Sequence, residues 1–177
     1  MTALAISASE QGSSRWWRWL LLAALVIVLD LATKAWVTAI FREGQELPVT
    51  SFMSLVLAYN TGAAFSFLAG AGGWQRWLFT AVAVVASVVI GWLLKRGGSR
   101  MYCLGLAAIL GGAIGNLVDR VLLGKVVDFL LFHYAGWFYP AFNVADSAIT
   151  IGAGLIIVDS FRHRHSAPRA VGSSGDP

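Results

Sequence analysis

Two aspartates in apolar surroundings are the residues of this sequence best suited to chemistry. Asp128 lies in the run Val-Val-Asp-Phe, and Asp146 ends the run Phe-Asn-Val-Ala-Asp. Burial disfavours the ionised form of a carboxyl group, so each aspartate is costly to ionise in such a setting. Two carboxyl groups that face each other can share one proton, and the ionised member can activate a water molecule. The pair is therefore a candidate for acid–base hydrolysis.

Other charged residues in apolar segments have simpler interpretations beside the functional one. Asp30 and Lys34 are four residues apart and share a helical face, which favours an ion pair that neutralises both within the protein. Asp119 directly precedes Arg120. The simplest interpretation is an ion pair between them, which keeps Asp119 ionised and gives it a scaffold role. From chemistry alone, however, Asp119 stays a third candidate for the acidic pair.

Three asparagines accompany these charges. Asn60, Asn116 and Asn143 carry neutral amides that both donate and accept hydrogen bonds, which suits binding of peptide backbone or capping of a turn. Asn116 shares a helical face with Asp119 and Arg120. Asn143 is the more natural helix cap near residue 146, which leaves Asp146 without a structural role and favours a functional one.

The composition indicates a membrane protein. Of 177 residues, 58% are hydrophobic and 12% are charged, against about 45–50% and 25% in soluble domains. The formal net charge of +4 does not indicate nucleic-acid binding, because the basic residues flank apolar runs instead of forming a patch. With one cysteine, Cys103, and one outward-facing histidine, His133, no metal site is expected.

Four apolar runs predict an all-α membrane protein, a bundle of four transmembrane helices. One membrane domain, residues 15–162, lies between a disordered tail at 1–14 and another at 163–177. The predicted spans cover residues 17–41, 77–94, 102–123 and 141–161. An even number of spans places both termini on one side of the membrane.

Basic residues predict the orientation. They concentrate in the two tails and in the 95–100 loop, so both termini are expected in the cytoplasm, and loops 42–76 and 124–140 face outward. The polar residues of all spans then fall near the outer side, at one depth. Charges within a membrane are costly, which makes this convergence a candidate site. The alternating pattern after Glu46 predicts short strands on the membrane surface.

The sequence resembles the lipoprotein signal peptidases, the type II signal peptidases of bacterial inner membranes. Five motifs in the family's order carry the resemblance, which covers about residues 16–162. They are Asp30-Leu-Ala-Thr-Lys34, Asn60-Thr-Gly-Ala-Ala-Phe65, Gly111-Gly-Ala-Ile-Gly-Asn-Leu-Val-Asp-Arg120, Val126-Val-Asp-Phe129 and Phe142-Asn-Val-Ala-Asp-Ser-Ala-Ile149.

The resemblance implies an aspartyl endopeptidase that removes the signal peptide from diacylglyceryl-modified prolipoproteins, on the amino side of the lipid-modified cysteine. It implies that Asp128 and Asp146 are catalytic and leaves Asp119 a supporting part. The supporting or substrate-binding positions are Asn60, Asn116, Arg120, Asn143, Asp119, Asp30 and Lys34. It also implies a small sheet in the first outer loop and a short helix over the site in the second.

The implied enzyme needs no metal or organic cofactor. Its partners are prolipoproteins and membrane lipids, it is expected to be a monomer in the inner membrane, and its site lies near the outer leaflet. The ionised aspartate takes a proton from water, and the protonated aspartate hydrogen-bonds the oxyanion. The sequence does not say which aspartate has which role, because a coupled pair titrates as a unit.

The alternatives are a proton-coupled transporter and a structural membrane subunit. A transporter would carry polar groups at the membrane midplane, and a structural subunit leaves both aspartates unexplained.

Overall fold

The structure is a computed structural model that describes residues 16–61 and 73–165. The predicted tail at 1–14 lies outside the described residues, as does the carboxyl tail from residue 166 onward. Most of the motif that follows Asn60 also falls outside them. In the described part of the tail predicted from residue 163, the last helix continues to His165.

Four helices dominate the described residues, as predicted. They are α1 (Trp17–Ile40), α2 (Trp74–Arg96), α3 (Arg100–Leu122) and α4 (Val144–His165). Each is long and apolar enough to cross a membrane. Over the most apolar part of each helix, α3 is 56% buried, against 11–22% for the others. The helix α3 is therefore the centre of the bundle, and the other three present apolar side chains to lipid.

Glycines let α3 lie close to its neighbours. A Cβ atom on Gly111 would lie 2.7 Å from the carbonyl oxygen of Ala23 in α1, and one on Gly112 would collide with the carbonyl oxygen of Ala145 in α4. Small residues at such positions allow helix backbones to approach in a membrane, where packing drives association. This close packing brings the polar residues of α3 within reach of both neighbours.

A four-stranded antiparallel sheet lies at one end of the bundle. Its strands are β1 (Glu46–Pro48), β2 (Met53–Asn60), β3 (Val126–Tyr134) and β4 (Trp137–Phe138), in the order β1-β2-β3-β4. The strands predicted after Glu46 are thus confirmed. The β2–β3 register shifts between Leu55 and Ala58, which places Ala58 opposite Asp128.

The short helix expected in the second outer loop is wrong for the described residues 124–140, which form a β-hairpin instead. The run from Val126 to Tyr134 is rich in β-branched and aromatic residues, which fit a half-buried strand. Ala135 and Gly136 both have positive φ, 48° and 82°, as the two central residues of a hairpin turn require. Hydrogen bonds to β2 then keep β3 in an extended conformation from Val126 to Phe132.

An apolar cluster joins the sheet to the bundle. Val127 and Phe129 of β3 pack with Val37, Phe41 and Leu57. Because alternate side chains of a strand point to opposite faces, Asp128 is directed away from this cluster and toward α4. The strand pattern thereby sets the direction of one candidate carboxyl group.

Candidate active site

Asp128 is fixed at the junction of β3 and α4. The backbone N–H groups of Phe129 and Leu130 both donate to the carbonyl oxygen of Phe142, at 3.0 and 2.8 Å. This contact holds β3 against the residue before the α4 cap. The Asp128 carboxyl group is 2% exposed and accepts a 2.8 Å hydrogen bond at Oδ1 from Asn143 Nδ2. The side chain of Asn60, from the end of β2, donates to it as well.

Asp146 has a structural role that the sequence interpretation denied it. Asn143 precedes α4 and accepts the Asp146 N–H at its Oδ1, at 2.9 Å, while Asp146 Oδ2 accepts the Asn143 N–H at 3.3 Å. This reciprocal pair is a capping box, which satisfies two donors of the helix start. The prediction that Asn143 caps α4 holds, but the inference that Asp146 is structurally idle is wrong, because the cap uses both side chains.

Asn116 connects Asp146 to a buried ammonium group. Its Nδ2 donates to Asp146 Oδ1 at 2.8 Å, and its Oδ1 accepts from Lys34 Nζ at 3.0 Å. Lys34 also pairs with Asp30 Oδ2 at 2.7 Å and with Asp119 Oδ2 at 3.0 Å. The predicted Asp30–Lys34 ion pair is thus confirmed. An ammonium group has three N–H donors, and three acceptors surround this one.

The ion pair predicted between Asp119 and Arg120 is wrong among the described contacts. Asp119 pairs instead with Lys34 of α1 and accepts the backbone N–H of Val127 at 3.0 Å. Arg120 donates to the carbonyl oxygen of Asn116 at 3.3 Å. Of the charged groups near Arg120, Asp146 has the strongest electrostatic interaction with it. The physical reason is helical geometry: adjacent residues on a helix point in different directions, so one faces α1 and the other the acidic pair.

Asp30 ties α1 to the start of α4. It is fully buried, and its Oδ1 accepts the backbone N–H of Ala145 at 2.9 Å. That N–H belongs to the first turn of α4, where helical donors have no partner within the helix. Gly115 supplies the space, since a Cβ there would lie 2.5 Å from Asp30 Oδ2. All the supporting residues predicted from the sequence therefore converge with Asp128 and Asp146.

The environment of Asp128 favours its neutral form. Burial, and then the nearby charge of Asp146, raise the pKa of Asp128 from 3.8 to about 7. Hydrogen bonds from Asn60 and Asn143 and the charge of Lys34 act in the opposite direction. Near neutral pH, one proton is therefore available in the pair, which is the condition for one carboxyl group to act as acid and the other as base.

A groove of about 270 Å³ opens beside Asp146. It is lined by the side chains Tyr139, Phe142, Asp146, Ser147, Thr150 and Ile151. The sequence interpretation missed Ser147 and Thr150 as site residues. A signal for both existed, because they follow Asn143 at spacings of four and seven and so lie on its helical face.

This arrangement suits acid–base hydrolysis by carboxyl groups. Asp128 is enclosed, whereas Asp146 is partly accessible and borders the groove, where a substrate carbonyl and a water could lie. Among the described residues, Asp30 and Asp119 are also buried carboxylates, and both pair with the ammonium group of Lys34.

Comparison with known proteins gives one consistent result. Residues 22–162 match the family described as signal peptidase (SPase) II. A lipoprotein signal peptidase of Paraburkholderia phytofirmans is 58% identical over 145 residues, which cover 81% of this chain and 84% of that protein. One from Paraburkholderia phymatum is 55% identical over 150 residues, covering 84% and 90%. A bacterial membrane enzyme solved by the in meso method at 2.3 Å resolution has a TM-score of 0.78 and 26% identity, covering 90% and 98%.

Proposed function

The chain belongs to the signal peptidase II family, and we propose that Asp128 and Asp146 are the catalytic pair of this member. The protein is a membrane-embedded aspartic peptidase that cleaves the signal peptide from prolipoproteins. The observation that carries the proposal is the network of two amides. Asn143 joins Asp128 to the cap of α4, and Asn116 holds Asp146 from the other side.

The reaction needs one proton on the pair. The ionised aspartate takes a proton from a bound water, whose oxygen attacks the scissile carbonyl carbon. The protonated aspartate hydrogen-bonds the oxygen on which negative charge develops. Departure of the amine requires a proton, which one of the two carboxyl groups provides. The raised pKa of Asp128 supports this scheme, because it keeps a proton available near pH 7.

The lining of the groove is suited to binding a lipid-modified substrate. Phe142 and Ile151 give it apolar walls, while Ser147 and Thr150 supply hydroxyl groups beside Asp146. Because its residues follow α4 into the membrane, a signal peptide and an acyl chain can enter from the lipid. Cleavage then falls on the amino side of the diacylglyceryl-modified cysteine, which its lipid holds at the membrane surface.

The protein is a multi-pass bacterial membrane protein. We place it in the inner membrane with both termini in the cytoplasm. The acidic pair and the sheet lie at one end of the bundle. At the other end, Lys95 and Arg96 end α2 and Arg100 begins α3. The positive-inside rule then directs the sheet and the site toward the outer leaflet, where the lipid of a translocated substrate resides.

A transporter is not favoured. Away from the site, α1, α2 and α3 pack through an apolar cluster that includes Ala23, Leu94 and Leu106. Transport across the membrane would require polar groups along this depth as well. The proposed enzyme works as a monomer with membrane lipids around it, and its chemistry needs no metal or organic cofactor.

The test is cleavage by the purified full-length protein in detergent. A diacylglyceryl-modified prolipoprotein should yield the mature form with an amino-terminal lipid-modified cysteine, while the unmodified precursor stays intact. Thr150→Trp should raise the KM by about tenfold or more by filling the groove. Val88→Trp, at an exposed position of α2, a helix that contributes no residue to the groove lining, is the matched control and should leave the KM unchanged. Equal cleavage of the unmodified precursor would contradict the proposed substrate.

A further inference from the structure

The polar network around the acidic pair contains a group that can only donate. Lys34 is buried and its Nζ lies 3.0 Å from Asn116 Oδ1. Because an ammonium group cannot accept a hydrogen bond, Asn116 must present its carbonyl oxygen to Lys34. The amide nitrogen of Asn116 therefore points the other way, to Asp146 Oδ1 at 2.8 Å. Chemistry alone fixes the orientation of this amide.

The second amide is oriented in the same manner. Asn143 Oδ1 accepts the backbone N–H of Asp146, so Asn143 Nδ2 must act as the donor toward Asp128 Oδ1. Nδ2 also lies 3.1 Å from the Asn116 oxygen. The two amides therefore cannot turn independently. Turning either one would place two N–H groups or two oxygens against each other at the contact between Asn143 Nδ2 and Asn116 Oδ1.

The two carboxyl groups consequently have different surroundings. Asp146 accepts N–H donors at both oxygens, from Asn116 and from the Asn143 backbone, and it is the first electrostatic partner of Arg120. Both oxygens of Asp146 therefore already act as acceptors toward fixed N–H groups. Asp128 lies deeper in the protein, where burial disfavours its charge.

Resting on the proposed catalytic pair, we propose that Asp128 carries the proton, that Asp146 is the base, and that Lys34 is a positioning residue that fixes this assignment by orienting the Asn116 amide. The charged groups facing Asp128 are Asp146 from α4, Lys34 from α1 and Arg120 from α3. The raised pKa of Asp128, to about 7, agrees with this geometry.

The assignment gives a balanced reaction. Asp146 takes one proton from water, and the water oxygen forms a bond to the carbonyl carbon. The carbonyl oxygen receives the proton of Asp128. When the carbon–nitrogen bond breaks, the amine takes the proton that Asp146 had gained, and the hydroxyl group returns its proton to Asp128. The acid and the amine are released, and the pair regains its starting state.

The pH profile of kcat/KM for the full-length enzyme distinguishes the two assignments. The acidic limb reports the group that must be ionised, and the basic limb the group that must be protonated. Asn116→Ala removes a hydrogen-bond donor from Asp146. The midpoint of the acidic limb should therefore move to higher pH by about one unit, while the midpoint of the basic limb stays where it is in the wild type. Thr38→Val removes only hydrogen bonds to the backbone carbonyl oxygens of Lys34 and Ala35, and it is the matched control. A shift confined to the basic limb would place the proton on Asp146 and overturn the assignment.

The role of Lys34 is tested by a double-mutant cycle. Lys34→Met should shift the acidic limb in the wild-type background and shift it much less when Asn116 is already alanine. Equal shifts in both backgrounds would show that the charge acts through space and would overturn the positioning role. Both outcomes differ from failure of the catalytic pair itself, in which Asp128→Asn or Asp146→Asn would retain cleavage.

Thermal unfolding gives a second measurement that does not depend on activity. At about pH 5.5, where the pair holds one proton, Asp128→Asn replaces a neutral acid by a neutral amide and should leave the Tm unchanged. Asp146→Asn places an NH2 group against one of two donors, Asn116 Nδ2 or the Asn143 backbone N–H, and should lower the Tm. Adding Asn116→Asp gives that NH2 group a carboxylate acceptor and should recover the Tm. A larger loss for Asp128→Asn than for Asp146→Asn would overturn the assignment.

Discussion

At the scale of single residues, the site uses the same side chains for helix capping and for chemistry. Asn143 caps α4 with its oxygen and holds Asp128 with its nitrogen. Asp146 completes the capping box and borders the groove. Because the cap fixes the backbone of the first turn, it also fixes the position of the Asp146 carboxyl group relative to Asp128.

The pKa of Asp128 predicts how stability depends on pH. The folded-state pKa of about 7 exceeds the ordinary value of 3.8, so protonation favours folding. Its stabilising effect is complete below about pH 4 and is lost as the pH rises through about 7, a change of roughly 4 kcal/mol. Asp128→Asn mimics the neutral acid, so its Tm in detergent should fall less between about pH 5 and pH 8.5 than that of the wild type.

The matched control is Asp159→Asn. Asp159 lies in α4 and accepts a hydrogen bond from Ser99, away from the acidic pair. Its variant should retain the wild-type decline in Tm with rising pH. An equal decline in Asp128→Asn would mean that Asp128 is not the group responsible.

The sequence identified these residues but not all of their partners. Apolar neighbours indicated Asp128 and Asp146, but only the family resemblance separated them from Asp119. The spacing of four was sufficient for the Asp30–Lys34 pair. The pairing of Asp119 with Lys34 depends on the rotation of α3 relative to α1, which spacing within one helix does not specify. The adjacent Arg120 was therefore the natural but wrong partner.

At the scale of elements, α3 positions the site by close packing. Its glycines contact α1 and α4 on two faces, so that Lys34, Asn116 and Asp146 from three helices meet within hydrogen-bonding distance. The four helices and the strands of the first loop followed from hydropathy and alternation. The hairpin of β3 and β4 did not, because a short apolar run fits a strand or a helix and only pairing with β2 decides between them.

Gly115→Ala tests the packing of α3 against α1. The added Cβ would lie 2.5 Å from Asp30 Oδ2, within a buried ion pair. We expect the variant to lose about 1–3 kcal/mol of stability and most of its activity, measured by Tm in detergent and by prolipoprotein cleavage. Gly154→Ala is the control, because open space surrounds that glycine in α4. A Gly115→Ala enzyme with wild-type Tm and activity would contradict this interpretation of the helix contact.

At the scale of the whole molecule, the site and the sheet share one end of the bundle and basic residues flank the other. The sequence was sufficient for this asymmetry, since it appears in the distribution of Lys and Arg along the chain. The groove could not be foreseen as a space, because its walls combine α4 with Tyr139, which follows the hairpin, and with Phe142, whose backbone pairs with β3.

Cysteine labelling in intact cells tests the orientation. In a Cys103→Ala background, Tyr134→Cys in the exposed hairpin should react with a membrane-impermeant maleimide from outside the inner membrane. Lys95→Cys, at the opposite end of the bundle, should react only after the membrane is opened. The reverse pattern would place the active site in the cytoplasmic leaflet and contradict the proposed topology.

Cleavage by the two active-site variants tests the catalytic pair most directly. Purified Asp128→Asn and Asp146→Asn are incubated with a diacylglyceryl-modified prolipoprotein, with folding checked by elution as a single species and by helical content. Each should lose at least about 10³-fold in kcat, whereas Asp159→Asn, the other aspartate of α4, should cleave normally. Cleavage at the wild-type rate by either active-site variant would show that Asp128 and Asp146 are not the catalytic pair.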